Sequence, residues 1–447
     1  MSSAFRIDRT ALLGLVAQRD EVATRDQLTE LHPADLADLL ESLEATEERL
    51  WLFRLMPPDM ASEAIREVND QTRNDIVQDL SDARVTAVLE RLDTDDAADL
   101  LGDVPEERQQ VLLDRASPEV RRDVEDLLAY PEDSAGGIMK TEVASAYTDA
   151  TVSEVIDYMR RRATDFHDVH NLFVVDDKQR LVGLVPLRDL LFADDDAGIE
   201  RIMTTDIVSV EVEIDQEKVA HLFEKYDLLS IPVVDALGRL VGRITVDDIV
   251  DVIAEEATED ILKMAGIGDE SIAQGGALAA MRSRLPWLVL NLGTSAISAT
   301  IVATFEETIR TAAVAAGLMT IVASLGGNSG VQAMTVTVRG LALGELHGSA
   351  IWRVLFREIA AAAGNGLVLG LSAGGFAYFW KGDVLLASVL GVAMLANFLT
   401  GALLGTLVPL GLRAVGVDPA VASGVFIQTS TDIVGFSVFL GLLSLVL

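Results

Sequence analysis

The chain has no cysteine, which excludes disulfides and thiolate metal sites. Positive charge is scarce: 35 Lys and Arg stand against 70 Asp and Glu, a formal net charge of −35. Such a surface repels nucleic-acid phosphates and attracts cations. No secretory leader is visible, because the first thirty residues mix Arg, Asp and Glu with short apolar stretches. The five histidines, His32, His167, His170, His221 and His347, show no catalytic spacing, and the serines have no evident base, so the expectation is not an enzyme. His167 and His170 are three apart, a spacing open to a metal or to a plain exposed loop.

What is present divides the chain. Residues 1–281 carry 27 Lys/Arg against 63 Asp/Glu, whereas residues 282–447 carry 8 against 7. An Asp-rich composition with Arg as the main base is also the mark of a saline cytoplasm or a GC-rich genome, so a functional argument must rest on particular acids. The last third consists of Gly- and Ala-rich apolar runs long enough, at about 20 residues each, to cross a bilayer. Five spans are expected at 286–305, 311–338, 355–379, 384–411 and 421–446. With the N-terminus in the cytosol, inner positions hold Arg282, Arg284, Arg339, Arg353, Arg357 and Arg413, and outer ones only Arg310 and Lys381. The positive-inside rule then places the C-terminus outside the plasma membrane and the acidic part in the cytosol.

Residues 1–132 read as short helices. His32-Pro33-Ala34-Asp35 and Ser117-Pro118-Glu119 each place Pro at the first helical position with an acid in the first turn. Pro57-Pro58-Asp59 and Asp93-Thr94-Asp95-Asp96 open two more. Starts at roughly 12- or 24-residue intervals predict stacked helical hairpins in a superhelix.

Residues 133–253 hold an internal repeat. Ile138-Met139-Lys140-Thr141 is echoed by Ile202-Met203-Thr204-Thr205, Val174-Val175-Asp176 by Val233-Val234-Asp235, and Arg180-Leu181-Val182-Gly183 by Arg239-Leu240-Val241-Gly242. Each copy reads as helix, strand, turn, strand, helix. These residues resemble a tandem CBS pair, a regulatory module that often binds adenine nucleotides. The resemblance implies an adenine nucleotide such as ATP at Pro232, Thr245 and Asp248, with Arg188 and Asp189 at the matching end of the first copy. Thr245-x-x-Asp248 is also the pattern of an ordinary helix cap.

Residues 254–281 read as a connecting helix into the membrane part, which is taken as 282–447. Glu255 and Glu259 are four apart, as are Glu256 and Asp260, so each like-charged pair shares a face and asks for a bound cation or for solvent. Within the spans, Asp432 is the one carboxylate well inside, near the middle of the fifth. No Lys or Arg lies at matching depth, so Asp432 marks an ion pathway. Mg²⁺ suits it, because that ion dehydrates reluctantly and prefers octahedral oxygen. One Asp makes a thin ring, which argues for two chains meeting on a two-fold axis.

Four stretches carry a wider resemblance: Arg284-Leu285-Pro286-Trp287; Gly326 to Gln332 with Val338-Arg339-Gly340-Leu341-Ala342; Asp418-Pro419-Ala420 leading to Asp432; and Thr245 to Asp260. On these the chain resembles the MgtE family of magnesium channels and transporters over nearly its whole length. The fold implied is multidomain: an all-α superhelical N domain, an α+β tandem CBS domain, a connecting (plug) helix and an α-helical transmembrane domain of five spans. The resemblance implies a homodimer, Asp432 as the pore carboxylate for hydrated Mg²⁺, and gating by cytosolic Mg²⁺ held at Asp95, Asp96, Asp227, Asp248, Asp251, Glu256, Glu259 and Asp260. The family usually has Pro where Val425 stands and a smaller residue where Gln428 stands, one turn before Asp432 on the same face. Selectivity over Mn²⁺, Co²⁺ or Ni²⁺ is open there. Two rival readings are a Na⁺- or H⁺-coupled transporter of Mg²⁺ or those other divalent ions, and a membrane sensor without transport.

Overall fold

The computed structural model describes residues 9–102, 104–162, 169–267, 277–421 and 423–447. His167 lies outside the described residues, and with it the paired-histidine reading. The chain divides into two compact units, Met1–Ala254 and Glu255–Leu447.

The first unit opens with helices α1 (Arg9–Gln18), α2 (Glu21–Leu28), α3 (Pro33–Ser42), α4 (Thr46–Leu55), α5 (Pro58–Glu67), α6 (Asp70–Asp79), α7 (Asp82–Leu89), α8 (Thr94–Gly102), α9 (Glu106–Arg115) and α10 (Pro118–Leu127). Successive starts fall 12 residues apart, with one interval of 13, as the start signals predict. The caps are the expected ones: Pro33 begins α3 behind the His32 cap, and the Ser117 hydroxyl accepts from the Val120 amide behind Pro118. Helices pack two apart (α3 on α5, α4 on α6, α5 on α7, α7 on α9, α8 on α10), so the spatial repeat is a hairpin. Each helix buries one stripe, with Leu40, Leu52 and Phe53 among the fully enclosed side chains.

Helices this short leave many terminal carbonyls without intrahelical partners, and arginines from neighbouring helices donate to them. Arg49 donates to the carbonyls of Leu40 and Leu43 and pairs with Asp75 at 2.9 Å. Arg108 donates to those of Val77 and Leu80 and pairs with Asp82 at 3.2 Å.

The repeat forms two three-stranded sheets of identical topology: β1 (Ser145–Tyr147), β2 (Asn171–Val175) and β3 (Leu181–Pro186), then β4 (Val210–Glu211), β5 (Ser230–Val234) and β6 (Leu240–Thr245). In each, the first two strands are parallel and the last two antiparallel, with the register shifting at Val174/Val175 and at Val233/Val234. The copies exchange their leading segments. Lys140 bridges Arg243 on β6, and Thr204 bridges Leu184 on β3. Gly183 and Gly242 leave room for Met203 and Met139 respectively; a Cβ at either glycine would stand 2.6 Å from the methionine sulfur. The core of the helical part runs on into the second copy through Met139, Val219, Ile231 and Ile244.

Between these elements lie α11 (Val152–Arg161), α12 (Leu187–Phe192), α13 (Ile199–Ile202) and α14 (Gln216–Tyr226); α15 (Val246–Met264) runs through the division between the units. The second unit then holds α16 (Ala277–Ala303), α17 (Glu306–Thr311), α18 (Val314–Ala342), α19 (Ser349–Lys381), α20 (Val384–Ala414) and α21 (Ser423–Val446). Among the described residues, five helices are long and apolar enough to cross a membrane: 280–303, 314–342, 349–381, 384–414 and 424–446. The third starts six residues before the expected apolar span, because helix geometry continues through Arg353 and Arg357 after hydropathy has fallen. Its glycines let α20 approach, so that a Cβ at Gly370 would lie 2.8 Å from the Gly391 carbonyl.

Candidate cation sites

At the start of α8, Asp93, Asp95 and Asp96 bring one carboxylate oxygen each within 4.8 Å of one another. The acids sit there because a helix N-terminus favours negative charge, and Thr94 follows Asp93 into the first turn. Into this group points Lys140, only 4% exposed. Its Nζ lies 3.0 Å from Asp248, 3.5 Å from Asp93, 3.6 Å from Asp247 and 3.8 Å from Asp95. The lysine is held by strand pairing: its amide donates to the Arg243 carbonyl at 2.8 Å, and its own carbonyl accepts from Arg243 at 2.9 Å. The next residue, Thr141, donates its amide to Thr94 Oγ1 at 2.9 Å, and Thr94 Oγ1 donates to Glu142 at 3.0 Å.

Electrostatics follow burial. Desolvation holds the Asp95 carboxyl well above the usual carboxylate range, with Asp96 adding to the shift and Lys140 opposing it. Asp96 is raised to about 7, again by burial first, against the pull of Lys140 and Arg66. Burial alone would lower Lys140, but Asp95, Asp248 and Asp247 outweigh it and hold the ammonium above the ordinary lysine range. Asp251, one turn along α15, is raised by desolvation and then by Asp248 and Glu67. Asp95 Oδ1 is buried without a hydrogen-bond partner.

The structure therefore brings Asp95, Asp96 and Asp248 into one nest. Asp227 stands apart as the left-handed cap of α14, with φ of 51°, exposed. Of the residues expected at a nucleotide, Thr245 donates its hydroxyl to Asp248 at 2.6 Å, the geometry of a helix cap, and Asp248 also takes Lys140. Pro232 is buried in β5 opposite Arg243. Arg188 and Asp189 pair with each other at 2.9 Å on α12.

In the second unit, α15 carries Glu256, Glu259 and Asp260. Lys263, also on α15, pairs with Glu259 and lies 3.0 Å from Asp418 in the turn before α21. Burial raises Asp260, and Asp418 raises it further. Met264 packs against Met334, Val338, Ala420 and Ile427.

Asp432 sits half-buried midway along α21, a helix without a basic residue. Of the long helices packed on α21, α18 and α20 each carry one base, Arg339 and Arg413, in the last turn, and α16 carries Arg282 and Arg284 near its start. Gly327 of α18 lies against Gln428 and Thr431 of α21, where an added Cβ would stand 3.6 Å from Gln428 Cγ and 3.8 Å from Thr431 Oγ1. Asn397 of α20 is fully buried and donates to the Val322 carbonyl at 2.8 Å, which joins α20 to α18. On α18, Thr320, Ser324, Asn328 and Gln332 recur every four residues on one face, all exposed in this chain.

Sequence reasoning missed Lys140, Asp93, Asp247, Lys263 and Asp418 as members of these clusters. One signal was available: Lys140 is the sole lysine among residues 1–177, and it stands where the second copy of the repeat has Thr204.

Comparison with known proteins agrees with this layout. Residues 31–133 match the model of the MgtE intracellular N domain, 135–196 and 199–255 the CBS domain, and 319–442 the divalent cation transporter model of MgtE. The magnesium transporter MgtE of Thermus thermophilus is 36% identical over 96% of this chain and 96% of its own. That of Bacillus subtilis is 31% identical over 94% and 92%. A crystal structure of the cytosolic domain of the Mg²⁺ channel MgtE in complex with ATP is 38% identical, covers 55% of this chain and 99% of its own, and superposes with a TM-score of 0.53. With this similarity running through the helical part, the CBS pair and the membrane helices alike, the chain belongs to the MgtE family of magnesium transporters.

Proposed function

We propose that this protein is a Mg²⁺-selective channel that imports Mg²⁺ across the plasma membrane as a homodimer and closes when cytosolic Mg²⁺ is plentiful. The observation that carries the reading is Asp432, a carboxylate at mid-span in a helix with no base of its own. A fixed charge at that depth is tolerated where it meets water or an ion. The exposed polar face of α18, running through Asn328 and Gln332, supports a wet route beside it, because polar groups facing lipid have no partner. Hydrated Mg²⁺ fits a carboxylate flanked by hydroxyl and carbonyl acceptors.

The sensor is assigned to Asp95, Asp96, Asp227, Asp248, Asp251, Glu256, Glu259 and Asp260, where facing carboxylates repel until a divalent ion screens them. ATP at the CBS pair is part of the reading and is supported by the ATP complex of a similar cytosolic domain. Its ribose would compete with Lys140 for Asp248. The N-terminal domains face the cytosol and the C-terminus lies outside.

Mg²⁺ uptake into liposomes tests the proposal. Wild-type protein passes Mg²⁺ without a Na⁺ or pH gradient, and Asp432→Ala lowers uptake to that of protein-free vesicles; equal flux from the two removes the pore assignment. Neutralising Glu256, Glu259 and Asp260 together leaves uptake running at high internal Mg²⁺, and normal closure of that variant removes them from the sensor.

A further inference from the structure

The two copies of the repeat present the same segment to each other's last strand, yet they differ in what stands on it. Thr204, paired with Leu184, occupies one position, and Lys140, paired with Arg243, the other. The charged member is the one whose side chain meets the helical domain. From there its ammonium touches Asp93 and Asp95 at the start of α8 and Asp247 and Asp248 at the start of α15. Two helix N-termini thus direct four carboxylates at one point, and a covalently attached cation stands in it. The segment carrying that cation is fixed on both sides, by the paired backbone bonds to Arg243 and by Thr94 of α8 bonded to Thr141 and Glu142. Without the ammonium, acids from two separate parts of the chain would face one another across a partly buried gap, a repulsion that a cation or protonation must relieve. That the nest can take a cation other than lysine is indicated by Asp95, 6% exposed, whose Oδ1 has no partner.

We infer that Lys140 is a tethered substitute for a divalent ion, which keeps α8 docked on the second CBS copy whether or not Mg²⁺ is present. This rests on the gating reading and narrows it, because Lys140 already fills the nest and takes Asp95, Asp96 and Asp248 out of the sensor. Sensing then falls to the assigned acids outside the nest, Asp227, Asp251, Glu256, Glu259 and Asp260, while the junction at Lys140 stays closed.

Hydrogen–deuterium exchange of the full-length protein in detergent, in excess EDTA and in excess Mg²⁺, tests the inference by following Thr94–Gly102 and the end of α15 separately. Wild-type α8 exchanges at the same rate in both conditions. Lys140→Met makes α8 exchange at least about tenfold faster in EDTA, following the rule that tenfold is 1.4 kcal/mol, and Mg²⁺ restores the protection. Lys140→Arg keeps the charge and behaves as wild type, which separates loss of charge from misfolding; Lys140→Thr, the residue of the second copy, repeats the effect of Met in a smaller side chain. Two results overturn the inference: wild-type α8 protection that depends on Mg²⁺ as strongly as that of the Met variant, or Met and Thr variants that match wild type in EDTA. An α15 end indifferent to Mg²⁺ while α8 behaves as stated counts against the gating reading alone.

Discussion

Asp95, buried at the start of α8, and Asp432, at mid-span in α21, are both carboxylates where a bare charge is costly, and the protein treats them in opposite ways. Around Asp95 it supplies a fixed ammonium 3.8 Å away, strand-bonded in place and shared with three other acids. Around Asp432 the described residues supply none: α21 has no base, Arg339 of α18 and Arg413 of α20 stand in last turns, and Arg282 and Arg284 of α16 stand near its start. A tethered counter-ion turns repelling carboxylates into a structural joint, because its charge cannot leave. A carboxylate without one is matched only by a charge that comes and goes, which is what a conducting site requires. At Lys263 one ammonium serves two acids, Glu259 of the same helix and Asp418 in the turn before α21.

The sharpest way to break the contrast is to give Asp432 a tether. Gln428 lies one turn before it on α21, so Gln428→Lys places an ammonium within reach. The expected result is a fall in liposomal Mg²⁺ flux of at least about tenfold, a barrier increase of 1.4 kcal/mol or more. Undiminished flux would show that a fixed charge there does not displace the mobile one.

A smaller effect concerns the joint itself. In the fold Asp96 is raised to about 7 from an unfolded value near 3.9. The unfolded chain therefore loses this proton first as pH rises, and the fold loses stability between about pH 4 and pH 7. Asp96→Asn removes that loss. Its melting temperature in EDTA should exceed wild type by several degrees at pH 8, at about 2–4 °C per kcal/mol, and converge on it near pH 4. A variant no more stable at pH 8 would show that Lys140 already compensates Asp96 in full.

Much of this architecture is legible in the sequence because it is local. Pro33 and Ser117 announce helix starts within a few residues of themselves, and the twelve-residue spacing follows from such signals. The repeat is visible because both copies keep the same turn, with Arg180 paired to Asp176 and Arg239 to Asp235, each at 2.6 Å. Asp432 is conspicuous because its surroundings are apolar for many residues on either side. The nest is not local. Its members come from residues 93–96, 140 and 247–248, and each piece alone reads as an ordinary cap or strand residue. Asp248 shows the cost: three residues after Thr245 it stands where the CBS resemblance implies a nucleotide contact, and only the fold reveals Lys140 beside it. Arg49 and Arg108 are hidden in the same way, since the carbonyls they satisfy belong to other helices.

The absence of cysteine allows the central claim, that Asp432 faces water along an ion route, to be measured at a single introduced thiol. Asp432→Cys and, as a mid-span surface control, Val368→Cys (Val368 is 63% exposed on α19) are treated in liposomes with a small, membrane-impermeant cationic thiosulfonate, with Mg²⁺ removed to open the route. The account predicts rapid labelling at position 432, slowed by added Mg²⁺, and little at position 368. An unreactive thiol at 432, or one labelled no faster than the control, would contradict it.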